Sequence, residues 1–141
     1  MTFAWRDDDI DEILREAHTV AVVGLSSDRF RPSYGVARYL QHDGYRIIPV
    51  NPNEREVLGE QCYSGLTQVR EPVDVVDVFR RSEFTPEIVD QAIEIGAKAV
   101  WFQLGIWNVE AAERARKAGL KVVMNHCMAT ELQRKRSLAG E

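Results

Sequence analysis

An α/β fold built on one doubly wound, five-stranded parallel sheet is predicted by two patterns in the chain. Short β-branched runs alternate with amphipathic stretches, which is the signature of repeated βαβ units. Most of the stretches between strands also open or close on a residue of helix-terminus type. A third observation, the length of 141 residues, fits a single domain over 1–141 whose one core needs no disulfides.

The strands are expected at 19–23, 45–50, 73–78, 97–102 and 121–124. Before them, Ile10, Ile13, Leu14 and Ala17 recur at helical spacing, so an N-terminal helix is expected within 1–18. Asp7, Asp8 and Asp9 would form its acidic first turn, at the positive end of the helix dipole. The first strand ends at Gly24, and the next helix starts at Pro32 or Ser33, because proline is preorganised for the first helical position. Thr85 reads as the cap of a helix over 86–95 that Gly96 closes. Asn108 caps an alanine-rich helix ending before Gly119, with Trp107 as a hydrophobic staple. A short helix over 129–136 follows the last strand, and 137–141 is expected to be a frayed tail. Right-handed crossovers favour the strand order 3-2-1-4-5, in which ligands bind at the carboxyl ends of the strands, where the order reverses.

Composition removes several classes of function. A net charge of −4, from 22 acidic and 18 basic residues, supplies no basic field for duplex nucleic acid. The opening residues lack a basic segment followed by an apolar one, and no run approaches the ~20 apolar residues of a membrane span, so a cytoplasmic location is expected. Cys62 and Cys127 do not combine with His18, His42 and His126 into a spaced metal-ligand set. Both read as structural thiols of a reducing compartment.

The loop after the first strand lies at the expected ligand edge. Gly24 ends the strand where a side chain would obstruct a close ligand, and Pro32 starts a helix whose free amides suit an anion. Ser26, Ser27, Arg29, Arg31 and Ser33 add neutral and charged donors, and phosphate is the natural guest; turn chemistry and solvation would account for the same residues. The glycine after Gly24 is Gly35, so neither G-x-G-x-x-G nor G-x-x-x-x-G-K-[ST] is present. The second strand ends in Asn51-Pro52-Asn53, with no carboxylate until Glu54; neutral amides tolerate a phosphorylated ribose, though the same residues also make a plain turn. Phe79 and Arg80 follow the third strand, as a base-packing ring and a phosphate partner or as core and solvated residues. After the fourth strand, Trp101 and Phe102 read as core, while Gln103 and Gly105 lie on the path of a ligand's polar chain. Cys127, in Asn125-His126-Cys127-Met128, stands at the same edge.

Taken in order, VAVVGLSSDRFRPSYGVARYL, YRIIPVNPNE, VDVVDVFRRSE and AVWFQLGIWNVEAAERARKAGLKVVMNHCM make the chain resemble the small stand-alone proteins of the CoA-binding domain family. It resembles more distantly the N-terminal domain of the succinyl-CoA synthetase alpha subunit. The resemblance implies a Rossmann-like domain that binds coenzyme A or an acyl-CoA, with the Gly24 loop and following helix at the pyrophosphate and the Asn51-Pro52 turn near the adenosine. It sets Phe79, Arg80 and Gln103 close to the cofactor's path. His126 departs from the arginine that many relatives carry before the cysteine.

No nucleophile with its base stands out. Neighbours in an extended segment face opposite ways, so His126 and Cys127 do not make a dyad, and Cys127 reads as a buried structural cysteine. The synthetase depends on a phosphorylated histidine in a further domain, for which this chain has no room, so binding without catalysis is expected. The alternatives are an NAD(P)-dependent oxidoreductase on the same fold, and a redox element in which Cys127 joins CoA in a mixed disulfide. A homo-oligomer or a protein partner is open, since the alanine-rich face over 109–118 could serve a dimer as readily as the sheet.

Overall fold

The computed structural model describes residues 5–140. Its strands are β1 (Thr19–Val23), β2 (Arg46–Val50), a hairpin of β3 (Glu56–Val57) and β4 (Glu60–Gln61), β5 (Val75–Val78), β6 (Ala99–Phe102) and β7 (Lys121–Met124). The helices are α1 (Ile10–Glu16), α2 (Pro32–His42), α3 (Thr85–Glu94), α4 (Val109–Lys117) and α5 (Met128–Leu138). Five strands form one parallel sheet in the order β2-β1-β5-β6-β7. Helices α1, α2 and α5 cover one face and α3 and α4 the other, giving the doubly wound, three-layer Rossmann-like arrangement.

The 3-2-1-4-5 pattern is met with one reassignment. The place outside β2 is held by a single parallel bridge from Val50 to Tyr63, while the Val75–Val78 strand lies beside β1. Every residue of β5 is buried, and a strand buried on both faces belongs inside a sheet rather than at its rim. The sheet still reverses direction at β1, the point at which the sequence predicts a ligand edge.

Three local readings change. The N-terminal helix occupies Ile10–Glu16 with Asp9 as its cap, accepting from the Glu12 amide at 3.1 Å; the first four residues of the chain lie outside the described range. Asp7 and Asp8 are not in its first turn. They take the Met124 and Val122 amides at 2.9 and 2.8 Å and so cover the open edge of β7. Thr85 is fully buried inside α3, where its hydroxyl donates to the Ser82 carbonyl at 2.6 Å instead of capping. Helix α5 runs through Leu138, so Ser137 is helical and not tail, and Glu141 lies outside the described residues. Asn108 caps α4 as expected, accepting from the Ala111 amide at 3.0 Å. Ala111, Ala112 and Ala115 are buried in the core of this chain, and Trp107 stands about half exposed.

Trp101 and Phe102 are both completely buried, on opposite faces of the sheet. Asp77 is buried as fully, and neither of its carboxyl oxygens has a hydrogen-bond partner. Desolvation pushes its carboxyl well above the usual carboxylate range. Among the described residues no helix is long and apolar enough to cross a membrane.

Candidate functional site

The carboxyl ends of the strands, with the starts of α2 and α5, enclose an open cleft of about 950 Å³. Its walls include Gly24, Ser26, Arg31, Pro32, Ser33, Asn51, Phe79, Gln103 and Cys127 from the sequence-derived set. Arg31 is the one cationic side chain among the described lining residues, and Glu54 the one carboxylate.

Gly24 has a positive φ of 92°, and its amide donates to the Val50 carbonyl at 2.8 Å. A side chain there would be strained, and its Cβ would stand 3.4 Å from both the Cδ of Arg80 and the Cβ of Phe79. Leu25 next to it is fully buried and anchors the loop. Beyond it the polar groups are largely taken up by one another. Ser33 Oγ accepts from the Ser26 amide at 3.1 Å, and Ser26 Oγ accepts from the Asp28 amide at 3.0 Å. Ser27 donates from its amide and its hydroxyl to Glu54 Oε2 at 2.8 and 2.9 Å and does not line the cleft. Asn51 donates from Nδ2 to the Leu25 carbonyl at 3.0 Å and accepts at Oδ1 from the Asn53 amide at 2.9 Å. Its side chain therefore ties the two loops together, in keeping with the plain-turn reading. Arg29 is exposed and outside the lining.

The start of α2 is different. Arg31 occupies its cap position without a side-chain hydrogen bond to the first turn, and Pro32 follows at the first helical place. Pro32 has no N–H, and the Tyr34 amide donates to the Arg31 carbonyl at 3.1 Å. The first turn thus offers the cleft the Ser33 amide and the positive dipole end, beside an Arg31 guanidinium that lies 4.0 Å from the exposed Asp28 carboxylate. Gly35 lies one turn further along the same helix, with nothing within 4 Å of where a Cβ would stand. Reading the sequence missed Gly35, Val36 and Tyr39 in the lining. Their signal was available: with Pro32 they fall at i, i+3, i+4 and i+7, one face of a helix.

Across Gly24 lies a smaller hollow of about 190 Å³ that includes Pro52, Ser64, Arg80 and Phe84. Pro52 and Arg80 belong here and not to the larger cleft. The Arg80 guanidinium stacks on the Phe84 ring at 4.5 Å. Gly24 borders both hollows.

At the far end of the cleft, Gln103 is 6% exposed and its Oε1 is buried with no hydrogen-bond partner. Gly105 lies outside the lining; with φ at +89° it forms a turn and donates to Asn125 Oδ1 at 2.8 Å. Asn125 itself takes a positive φ of 64°, and the Trp101 indole donates to the His126 carbonyl at 2.9 Å. These contacts fix the turn so that His126 reaches Asp7 Oδ2 at 2.9 Å while Cys127 lines the cleft. The two side chains make no dyad, as their alternation implied. Cys127 is half-buried, in contrast to the buried cysteine expected.

The family model described as CoA binding domain matches residues 18–133. The chain is 41% identical to the protein YneT of Bacillus subtilis over 85% of its own length and 89% of that protein's. A hypothetical protein from Pyrococcus horikoshii superposes with a TM-score of 0.87 at 43% identity, covering 92% of each chain. Similarity also extends, at 21% identity, to an ADP-forming acetate–CoA ligase of Methanocaldococcus jannaschii; it covers 78% of this chain but only 17% of the ligase. The matched residues include all five strands of the parallel sheet and the loops that wall the cleft, and the chain belongs to the CoA binding domain family.

Proposed function

We propose that this chain binds coenzyme A or an acyl-CoA as a non-catalytic cytoplasmic module that senses the ligand or carries it to a partner. The observation that carries the reading is a pair of unmet polar ends in one cleft: the uncapped start of α2 beside Arg31, and the buried, unpartnered oxygen of Gln103. A pyrophosphate suits the first, since its charge meets the positive end of α2 and competes for the Arg31 guanidinium with the exposed Asp28 carboxylate 4.0 Å away. An amide N–H of a pantetheine chain suits the second. Gly24, without a side chain between the two hollows, lets a long ligand pass from one to the other, and the stacked Arg80 and Phe84 suit a flat base in the smaller one. The ligand residues are then Gly24, Arg31, Pro32, Phe79, Arg80 and Gln103, with Ser26, Ser33 and Asn51 shaping the wall. Among the described lining residues the one carboxylate, Glu54, is taken up by the amide and hydroxyl of Ser27, which lies outside the lining.

Calorimetric titration with CoA, dephospho-CoA, NADH and NADPH at one salt concentration tests this. Saturable binding of CoA, weaker binding of dephospho-CoA and none of the nicotinamides is the expected result. Preference for NADH or NADPH, or no binding at all, would overturn it.

A further inference from the structure

We infer that Cys127 is a thiol–disulfide exchange site for the sulfur end of a CoA-type ligand. The inference rests on the CoA reading and adds to it a covalent step. Cys127 is a free, half-buried cysteine in the cleft wall, and its side chain caps nothing in α5. It sits at the cap position of that eleven-residue helix, at the rim of the cleft.

A second observation points to a ligand at the same place. Gln103, 6% exposed and lining the same cleft, holds an Oε1 with no partner. The segments that carry them are joined, because the Asn125 and His126 amides both bond to the carbonyl of Phe102, the residue before Gln103, at 2.8 and 3.3 Å, and both side chains line the one cleft. A thiol-ended chain whose amide meets Gln103 therefore ends beside Cys127. Cys62 offers the contrast. Its thiol is engaged with the Asn51 and Tyr63 carbonyls at 3.4 and 3.6 Å, it lies outside the cleft lining, and burial pushes its ionisation up.

The step balances without another oxidant when the incoming ligand is the symmetrical disulfide of CoA. The Cys127 thiolate attacks one sulfur, a new S–S bond forms as the old one breaks, and the released CoA thiolate takes up the proton that Cys127 lost. Attack by free CoA thiol on the mixed disulfide reverses it.

The test treats the reduced full chain with CoA disulfide and, in parallel, with oxidised glutathione, and follows intact mass. The expected result is one CoA adduct, reversed by dithiothreitol, formed about tenfold faster than the glutathione adduct because the cleft positions the ligand. Cys127→Ser abolishes it and Cys62→Ser does not. No adduct, an adduct on Cys62, or equal rates with the two disulfides would overturn the inference. Titration of the wild-type chain with reduced CoA under reducing conditions separates the two failures. Binding of reduced CoA without an adduct removes only the exchange step, whereas absence of binding removes the CoA reading and this inference together.

Discussion

The two ends of the cleft treat their polar groups in opposite ways. At the β1 end, in the loop ahead of the α2 start, Ser26, Ser27, Ser33, Asn51 and Glu54 are joined to one another or to backbone, so most of a stretch that reads as a row of ligand donors is a self-satisfied turn. At the β6 end the side chains are fewer and less basic, yet the Gln103 oxygen is buried without a partner. A buried acceptor left unmet costs about 1–3 kcal/mol, whereas a satisfied one costs little. Capacity for a ligand is thus marked by what the fold leaves unpaired and not by how many polar residues a loop contains.

The sharpest way to break this comparison is at the point between its two ends. Gly24→Val puts a β-branched residue at a φ of 92°, with Arg80 and Phe79 at contact distance. The backbone strain alone is about 1–3 kcal/mol, and CoA affinity should fall about 100-fold by calorimetry, with far-UV circular dichroism still helical. Unchanged affinity would mean that the ligand does not cross Gly24.

A second effect, of about 1–3 kcal/mol, concerns the group buried deepest without a partner. Asp77→Val should stabilise the fold in urea titrations by filling the site with an apolar side chain. The native carboxyl is raised by burial, so the folded chain holds its proton more tightly than the unfolded one. Wild-type stability should therefore fall as pH rises from about 4 toward the raised folded value, and Asp77→Val should remove that slope. A variant less stable at all pH values would show that Asp77 has a role in the fold beyond its cost.

Smaller effects sharpen the contrast between the ends. Gln103→Leu should weaken CoA binding about tenfold while leaving the melting temperature at or above that of the wild type, because it deletes an acceptor that only the ligand meets. Ser27→Ala is the counterpart. Its hydroxyl is exposed and bonded to Glu54, so stability should move by less than about 0.5 kcal/mol, and affinity within about twofold. A large loss of binding in Ser27→Ala, with none in Gln103→Leu, would reverse the assignment of the two ends.

The sequence was most readable where a single local rule governs. Pro32 starts α2, Asn108 caps α4, and the first and last strands keep their expected bounds, because each follows from nearest neighbours in the chain. Reading was weakest where a residue had two legitimate uses. Asp7 and Asp8 fit a first helical turn by charge, but the open edge of β7 offers them backbone amides that a solvated turn cannot match. Gly105 fits a ligand path by size, but the turn needs its positive φ.

Hydrophobic period, terminus residues and the order of the family-like stretches determined the α/β class, the parallel strands and the edge on which the candidate site lies. Those signals are local, or repeat along the chain, so they survive without coordinates. Tertiary structure decided that Val75–Val78 lies beside β1, that Asn51 faces inward to Leu25, and that Gln103 and Cys127 share a wall. Each of these depends on which distant groups meet, and hydrogen bonding between residues far apart in the chain is settled only when the sheet brings them together.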